Sequence, residues 1–230
     1  MTLRPTTAPG GALACDVALL QLSSVALPVG AFSYSQGLET AIEEGRLDSQ
    51  ETIALWIGDV LRGVLGRYEA PLWWRLYDAC ERDDARAFAG WNEEFLATRE
   101  TAELRAETLQ MGHSMAELLR GLGLTPPVPE SPLTWPAAHA WAARAWHIAP
   151  ERALAGYLNG WAENQVMAAI KSFALGQRAG QQILLGLRPT IAAVATAAGQ
   201  MEEAQLSNLA PAFAITSARH EEQYSRLFRS

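Results

Sequence analysis

The sequence predicts a single all-α domain, a multi-helix bundle of about eight to ten helices with no sheet. Apolar residues recur with the period of an α-helix through most of the chain. No stretch shows the sustained two-residue alternation of a half-buried strand. A length of 230 residues and a hydrophobic content of 49% are enough to bury one sizeable core. These observations favour one helical domain over residues 1–230.

The first part of the chain predicts a flexible lead-in, a short helix and a loop. Residues 1–14 form the lead-in, and Asp16 is suited to be the N-cap of the short helix. Serines, a proline and a glycine then break the helical pattern. A helix is predicted to resume at Gln36–Glu44 and to stop at Gly45.

The clearest helical pattern follows Asp48 and Glu51, whose spacing resembles a capping box. Apolar residues then cover one wide helical face: Ile53, Trp56, Ile57, Val60, Leu61, Val64 and Leu65. Further helices are predicted at about 69–81, 84–97 and 99–121.

Prolines divide the second half of the chain. Four of them fall within 126–132, so 123–136 is predicted to be a linker across the surface rather than a domain boundary. Helices are expected at about 137–147, from Pro150 onward, at 173–187 with a break at Pro189, at about 190–205, and from Pro211.

Composition argues against several classes of function. The formal net charge is -7 and no basic stripe is present, which disfavours nucleic acids and anionic membranes as partners. Cys15 and Cys80 are isolated, so the sequence contains no CxxC motif for zinc or redox chemistry. Neither a secretory signal nor a membrane-length apolar run is recognisable. We therefore expect a cytoplasmic protein.

Motifs for catalysis and metal binding are missing from the sequence. It has no phosphate-binding GxxxxGK[ST] loop and no HExxH pair, and its four histidines are scattered. Gly112-His113-Ser114 resembles part of a nucleophile elbow, but Ala116 stands in place of the second glycine and the segment is helical. Most carboxylates are expected to be solvated, with Glu39 and Glu100 less certain. The sequence thus predicts no catalytic residues and no metal ligands.

Two features favour binding to other proteins. Lys171 is the only lysine in the chain, and it is interpreted either as a plain surface residue or as a functional cation. The C-terminal tail, 218–230, is predicted to carry His220, Tyr224, Leu227 and Phe228 on one helical face. Aromatic and arginine side chains together anchor interfaces, so these residues pack either on the protein's own core or on a partner.

The chain resembles the urease accessory protein F (UreF) family from about Val17 to its last residue. Four segments carry the resemblance in the same order: LPVGAFSYSQGLE (Leu27–Glu39), RETAELRAETLQMG (Arg99–Gly112), AAIKSFALGQRAGQQILL (Ala168–Leu185) and HEEQYSRLFRS (His220–Ser230). The resemblance implies an all-α protein that forms a homodimer. It also implies binding to urease accessory protein D (also called H) and to the GTPase, urease accessory protein G, in an assembly that delivers nickel to apo-urease.

The resemblance also assigns residues. Lys171 would face the GTPase, and the tail would become ordered against the D/H protein through His220, Glu221, Tyr224, Arg226, Leu227, Phe228 and Arg229. The central region near the dimer interface would include Phe32, Tyr34, Gln36, Gly37 and Glu39. Nickel and GTP would be handled by the complex, so the chain itself is expected to bind no cofactor.

Two alternatives remain open at this point. One is a metallochaperone that binds nickel itself, for which the sequence supplies few ligands. The other is an all-helical enzyme, which would be favoured by a pocket where acids with shifted pKa values converge. The leading hypothesis is a non-enzymatic scaffold or chaperone for urease maturation.

Overall fold

The computed structural model describes residues 11–230 and confirms the all-α class. Within that range there are ten α-helices and no strand. The helices are α1 Ala12–Leu22, α2 Leu38–Glu43, α3 Gln50–Val60, α4 Ala70–Glu81, α5 Ala85–Ala97, α6 Ala102–Gly121, α7 Trp135–Ala145, α8 Pro150–Ser172, α9 Gln177–Ala198 and α10 Pro211–His220. A π-helical segment, Leu61–Glu69, joins α3 to α4 without a break.

Helix α7 lies at the centre of the packing, between α4 and α6. Its small side chains are fully buried, which allows the neighbouring helices to approach closely: Ala137, Ala138, Ala140, Ala142 and Ala143. Gly112 of α6 has a similar role, because a Cβ atom there would lie 2.0 Å from the Leu133 carbonyl oxygen. The Gly112-His113-Ser114 sequence is therefore explained by helix packing, inside the helix where it was predicted.

Two predicted helix starts are wrong. Helix α1 begins at Ala12, so Asp16 lies inside the helix and is not its N-cap. Part of the predicted lead-in is thus helical, and residues 1–10 lie outside the described range. Helix α3 is capped by Ser49, whose side chain accepts a hydrogen bond from the Thr52 N–H. In return the Ser49 N–H donates to the Thr52 hydroxyl oxygen, so the expected Asp48 and Glu51 box is displaced by one residue.

The predicted break at Pro189 is also wrong, because α9 continues through it. Proline removes one main-chain hydrogen bond and displaces the carbonyl four residues earlier, that of Leu185. Both residues are exposed, so water can bind the freed carbonyl group. A buried stripe on the opposite face spans the proline and holds the helix together: Ile183, Leu187, Ile191, Ala195 and Ala198.

The proline-rich segment does not stay on the surface to its end. Leu133 and Thr134 are buried, and α7 already begins at Trp135. The buried Asn92 side chain donates to the Pro132 carbonyl oxygen and accepts from both the N–H and the hydroxyl group of Thr134. This clamp replaces the water that a surface linker would bind.

None of the helices in residues 11–230 combines the length and the apolarity required to cross a membrane.

Candidate functional site

The loop before α2 brings the central region against α10. Gly37, at φ 80°, is the N-cap of α2, and a Cβ atom there would lie 3.2 Å from the Thr216 side chain. Positive φ and close approach together require glycine at this position. The glycine places Glu39 in the first turn of α2, where it is buried with only 6% of its surface exposed.

The C-terminal tail folds back on this loop. Helix α10 ends at His220, so the predicted helical face through Phe228 does not form. Instead the Ser230 main-chain oxygen accepts hydrogen bonds from the N–H groups of Ser35 and Gln36, at 2.8 and 3.0 Å. The Arg229 N–H donates to the Ser33 carbonyl oxygen at 2.8 Å. The resemblance implied a tail that becomes ordered against the D/H protein, whereas here the tail already packs on the chain itself.

Glu39 holds the tail at a second point. Its carboxylate accepts hydrogen bonds from the main-chain N–H groups of Leu227 and Phe228, at 2.7 and 3.1 Å. The His220 ring contacts the same carboxylate at 3.3 Å through Nε2, and its Nδ1 lies 2.6 Å from Glu103. These contacts join residues that are 117 to 189 positions apart into one polar cluster, which closes the tail onto α2 and α6.

The predicted docking residues divide into two groups. His220 and Phe228 are buried, so these two pack on the protein's own core. Tyr224 is fully exposed and Leu227 is 69% exposed. The remaining members, Glu221, Arg226 and Arg229, are exposed at the surface, where Glu221 accepts a hydrogen bond from the Glu103 N–H and Arg226 forms an ion pair with Glu103.

The central residues are mostly buried or half-buried, and only Phe32 is exposed. Phe32 is 67% exposed, whereas Tyr34 is buried. The Gln36 side chain accepts from the Trp161 indole N–H and donates to Glu107, both at 2.7 Å. Lys171 is exposed, and its Nζ atom lies 5.5 Å from the centroid of the Phe228 ring. The roles of these residues toward a second copy or a GTPase stay predictions.

A cavity of about 350 Å³ opens beside Gln36. Three of its lining residues are exposed and apolar, and these form its mouth: Val25, Phe32 and Met167. The aromatic rings of Trp135 and Trp161 also line the cavity. Its interior is lined by four side chains with polar groups: Glu69, Glu107, His139 and Tyr157. The apolar mouth therefore leads to two carboxylates, the buried Glu107 and the partly buried Glu69.

Burial determines the protonation of both acids. It raises the pKa of Glu107 to about 7, although Ser230 and Gln36 each donate a hydrogen bond to the carboxylate. Burial also raises the pKa of Glu69, against the opposing effect of Arg99 at 3.6 Å. The Tyr157 hydroxyl donates to Glu69, and burial raises the pKa of that phenol well above its ordinary value. In all three groups burial therefore favours the protonated, neutral form.

His139 behaves as a core histidine. Burial lowers its pKa to about 3, so the ring is neutral at physiological pH. The Trp73 indole N–H donates to Nδ1 at 3.2 Å, which leaves the ring proton on Nε2. The rings of Trp135 and Tyr157 pack edge-on against it. His139 is thus held in the core by a hydrogen bond and by ring packing.

Sequence reasoning missed the acidic cavity. It placed Glu107 among the solvated carboxylates, and this is wrong because the side chain is 7% exposed. The available signal was the position of Glu107 in α6, three residues after Leu104 and four before Met111, both of which are buried. Glu69 gave no such signal, because it ends the π-helical segment, where the helical period changes.

Metal ligands do not converge in the described part of the chain. No group of three or more His, Cys, Asp or Glu side chains in residues 11–230 is arranged to hold an ion. Both cysteines are thiols in this structure, and burial raises the pKa of Cys80 to about 12, away from the thiolate that binds metals.

Fold and site define an all-α protein with a self-docked tail and an acidic cavity under an apolar mouth. The chain belongs to the UreF family: the family's sequence profile matches residues 47–188. It is 48% identical to the urease accessory protein UreF of Azoarcus sp. (strain BH72), over 98% of this chain and all of that protein. It is also 48% identical to the UreF of Janthinobacterium sp. (strain Marseille), over 92% of this chain and 96% of that one.

A third relative is a fusion. The bifunctional urease accessory protein UreEF of Bordetella bronchiseptica is 48% identical over 93% of this chain, which corresponds to 51% of that longer protein. The resemblance to the UreF family that the four sequence segments indicated is therefore confirmed.

Proposed function

We propose that this chain is a cytoplasmic, non-enzymatic scaffold for urease maturation. In this role it binds urease accessory protein D/H and the GTPase accessory protein G, and the complex promotes nickel insertion into apo-urease. Membership of the UreF family supports a role in urease maturation. The UreEF fusion supports action beside other accessory proteins, since two accessory functions share one chain there. Homodimer formation through the central region is part of the same proposal.

The observation that carries the docking role is the division of the tail. The chain holds Phe228 and Ser230 in place through its own contacts, and this presents Tyr224 and Leu227 to solvent. A fully exposed tyrosine beside an exposed leucine and two arginines has the composition of an interface centre. A surface already ordered before binding loses less conformational entropy when a partner arrives.

The acidic cavity keeps an enzyme as a second candidate. A carboxyl group with a pKa of about 7 is suited to general acid–base catalysis near neutral pH. A catalytic role would require turnover by the isolated chain that disappears in Glu107→Gln. The scaffold proposal expects no such turnover.

The docking surface is tested with the double variant Tyr224→Ala/Leu227→Ala. We expect at least about a tenfold loss of capture of the D/H protein, because two anchor side chains are truncated. Both side chains are exposed, so the melting temperature should stay the same. Co-purification with each accessory protein, alongside thermal unfolding, measures both quantities.

A matched control truncates two exposed apolar side chains elsewhere on the surface, one on α3 and one on α9: Leu55→Ala/Leu185→Ala. This control is expected to keep full capture. Equal capture by the tail variant and the control would contradict the docking role of the tail.

A further inference from the structure

We propose that the cavity receives an arginine side chain of a protein partner, whose guanidinium group pairs with the Glu107 carboxylate while the same partner covers the apolar mouth. This inference rests on the proposed function only in that the chain acts by binding proteins. It adds a second docking site, separate from Tyr224 and Leu227, and states the chemistry of the residue that fills it.

The carboxyl group at the base of the cavity offers a partner for a cation. Among residues 11–230, no Lys or Arg forms an ion pair with Glu107, whose two oxygens accept only from the neutral Gln36 and Ser230 side chains. Glu69 differs, because Arg99 already lies beside it. A carboxylate buried with neutral donors alone is destabilised in its ionised form, and an incoming cation would relieve this.

The walls of the cavity favour guanidinium over ammonium. Trp135, Tyr157 and Trp161 line it, and guanidinium stacks on aromatic faces and is less strongly hydrated than an ammonium group. Its planar donors also match the remaining lone pairs of a carboxylate that already accepts one hydrogen bond per oxygen. The volume of about 350 Å³ lies at the small end for ligand pockets, which suits one side chain.

The mouth of the cavity indicates that a protein carries this arginine. A free small cation would leave the exposed side chains of Val25, Phe32 and Met167 in water, whereas a protein surface would cover them. Helix α1, which contributes Leu22 to the cavity, also carries an exposed apolar face. Its members follow helical spacing: Leu13, Val17 and Leu20.

One charge at the mouth opposes a cation. Lys171 lines the cavity, but its ammonium group lies over the Phe228 ring of the tail. Glu163 also lines the cavity and contributes the opposite charge. The net charge of the ionised lining therefore remains favourable to arginine.

The first experiment uses two probes with the full-length protein: N-acetyl-arginine methylamide and its neutral isostere, N-acetyl-citrulline methylamide. Binding is followed by NMR through the indole N–H of Trp161, which lies in the cavity and donates to Gln36. We expect the arginine probe to bind at least about tenfold more tightly than the citrulline probe, because only arginine forms a charge-assisted pair.

Variants locate the contact. Glu107→Gln is expected to reduce the affinity for arginine to that for citrulline, while the control Glu163→Gln at the same cavity changes it less than about threefold. Equal affinities of the two probes for the natural protein would overturn the proposal, as would the absence of saturable arginine binding up to about 10 mM.

A pH series on the natural protein serves if Glu107→Gln fails to fold. Glu107 faces Gln36 and Ser230 directly, and the ionisable groups Glu69, Arg99, Tyr34 and Tyr157 act on it or respond to it. Arginine affinity should rise about fivefold or more from pH 6 to pH 8, as the carboxyl group loses its proton, with citrulline affinity constant. A flat arginine profile would overturn the proposal.

The identity of the partner is tested with Val25→Ser/Met167→Ser, which makes the mouth polar and leaves Phe32, a residue of the proposed dimer region, unchanged. Loss of capture of the D/H or the G protein, with probe binding retained, supports a partner arginine. If this variant instead dissociates a homodimer and keeps both accessory proteins, a second copy fills the cavity and the proposal is overturned. Suppose that Tyr224→Ala/Leu227→Ala loses capture of the D/H protein while the natural protein binds neither probe. The proposed function would then stand, and only the arginine site would be rejected.

Discussion

Two carboxylates, Glu39 and Glu107, are buried to nearly the same degree but have different neighbours. Glu39 is 6% exposed and accepts two main-chain N–H groups of the tail beside the His220 ring. Glu107 is 7% exposed, accepts only two neutral side-chain donors and lines a cavity. Glu39 thus accepts its hydrogen bonds from the chain itself, whereas Glu107 can accept further hydrogen bonds from a ligand. The donors around a buried acid, rather than its burial, thus separate a structural group from a binding group.

Replacing Glu39 should give the largest effect. Glu39→Ala leaves two main-chain N–H groups and the His220 ring without their acceptor, and the expected loss in the free energy of unfolding is about 3–5 kcal/mol. Urea denaturation measures it. Tryptic cleavage after Arg226 should also become faster in the folded protein, since the tail loses one of its two anchors.

The matched control is Glu43→Ala, on the exposed side of the same short helix. It should change the free energy of unfolding by less than about 0.5 kcal/mol. If Glu39→Ala resembled this control, the Glu39 contacts would not hold the tail.

Local sequence patterns predicted the helices more successfully than the site, for a physical reason. The bounds of α5 and α6 follow from apolar period and capping residues, which act within a few positions. The predicted break at Pro189 was wrong because the prediction counted the cost of a proline inside a helix but not the buried apolar stripe that spans it. A tertiary contact that stabilises an element cannot be read from that element alone.

The site depends on contacts across almost the whole chain. Glu39 meets Phe228 and Ser35 meets Ser230 at separations that no periodicity reveals. The family resemblance assigned Glu39 to the central region and the tail to a partner surface, and it did not indicate that the two contact each other. Glu107 was predictable in part, because its position on the buried stripe of α6 conflicts with solvation.

Glu107→Gln should change how stability depends on pH. The pKa of Glu107 in the folded protein, about 7, lies above the ordinary 4.5, so the folded state binds the extra proton between these values. Stability from this group is complete below pH 4.5 and is lost as pH rises toward 7. The natural protein should therefore lose about 3 kcal/mol relative to Glu107→Gln across this window.

Urea denaturation of both proteins at pH 4.5, 6 and 7.5 measures this difference, and the contributions of ionisable groups that do not interact with Glu107 cancel. Two parallel curves would show that Glu107 titrates normally. In that case the donors around Glu107 would fully offset the cost of burying its charge, and the contrast with Glu39 would disappear.

The smallest effect concerns Lys171, which connects the two regions because it lines the cavity and lies over the Phe228 ring. Lys171→Met keeps the length of the side chain and removes its charge, which should weaken the hold on the tail by about 0.5–1 kcal/mol. Hydrogen exchange at the Phe228 amide, which Glu39 binds, would then become about two- to fivefold faster. Lys171→Arg should restore slow exchange, because guanidinium also binds aromatic faces.

The same variants separate the tail contact from the proposed GTPase contact of Lys171. If Lys171→Met loses capture of the G protein and Lys171→Arg restores slow exchange but not capture, the ammonium group itself is recognised. If capture follows the exchange rate in both variants, Lys171 acts by fixing the tail. If both variants capture the G protein as well as the natural protein does, the charge of Lys171 does not contribute to GTPase binding. Lys171 would then be only a minor contact of Phe228.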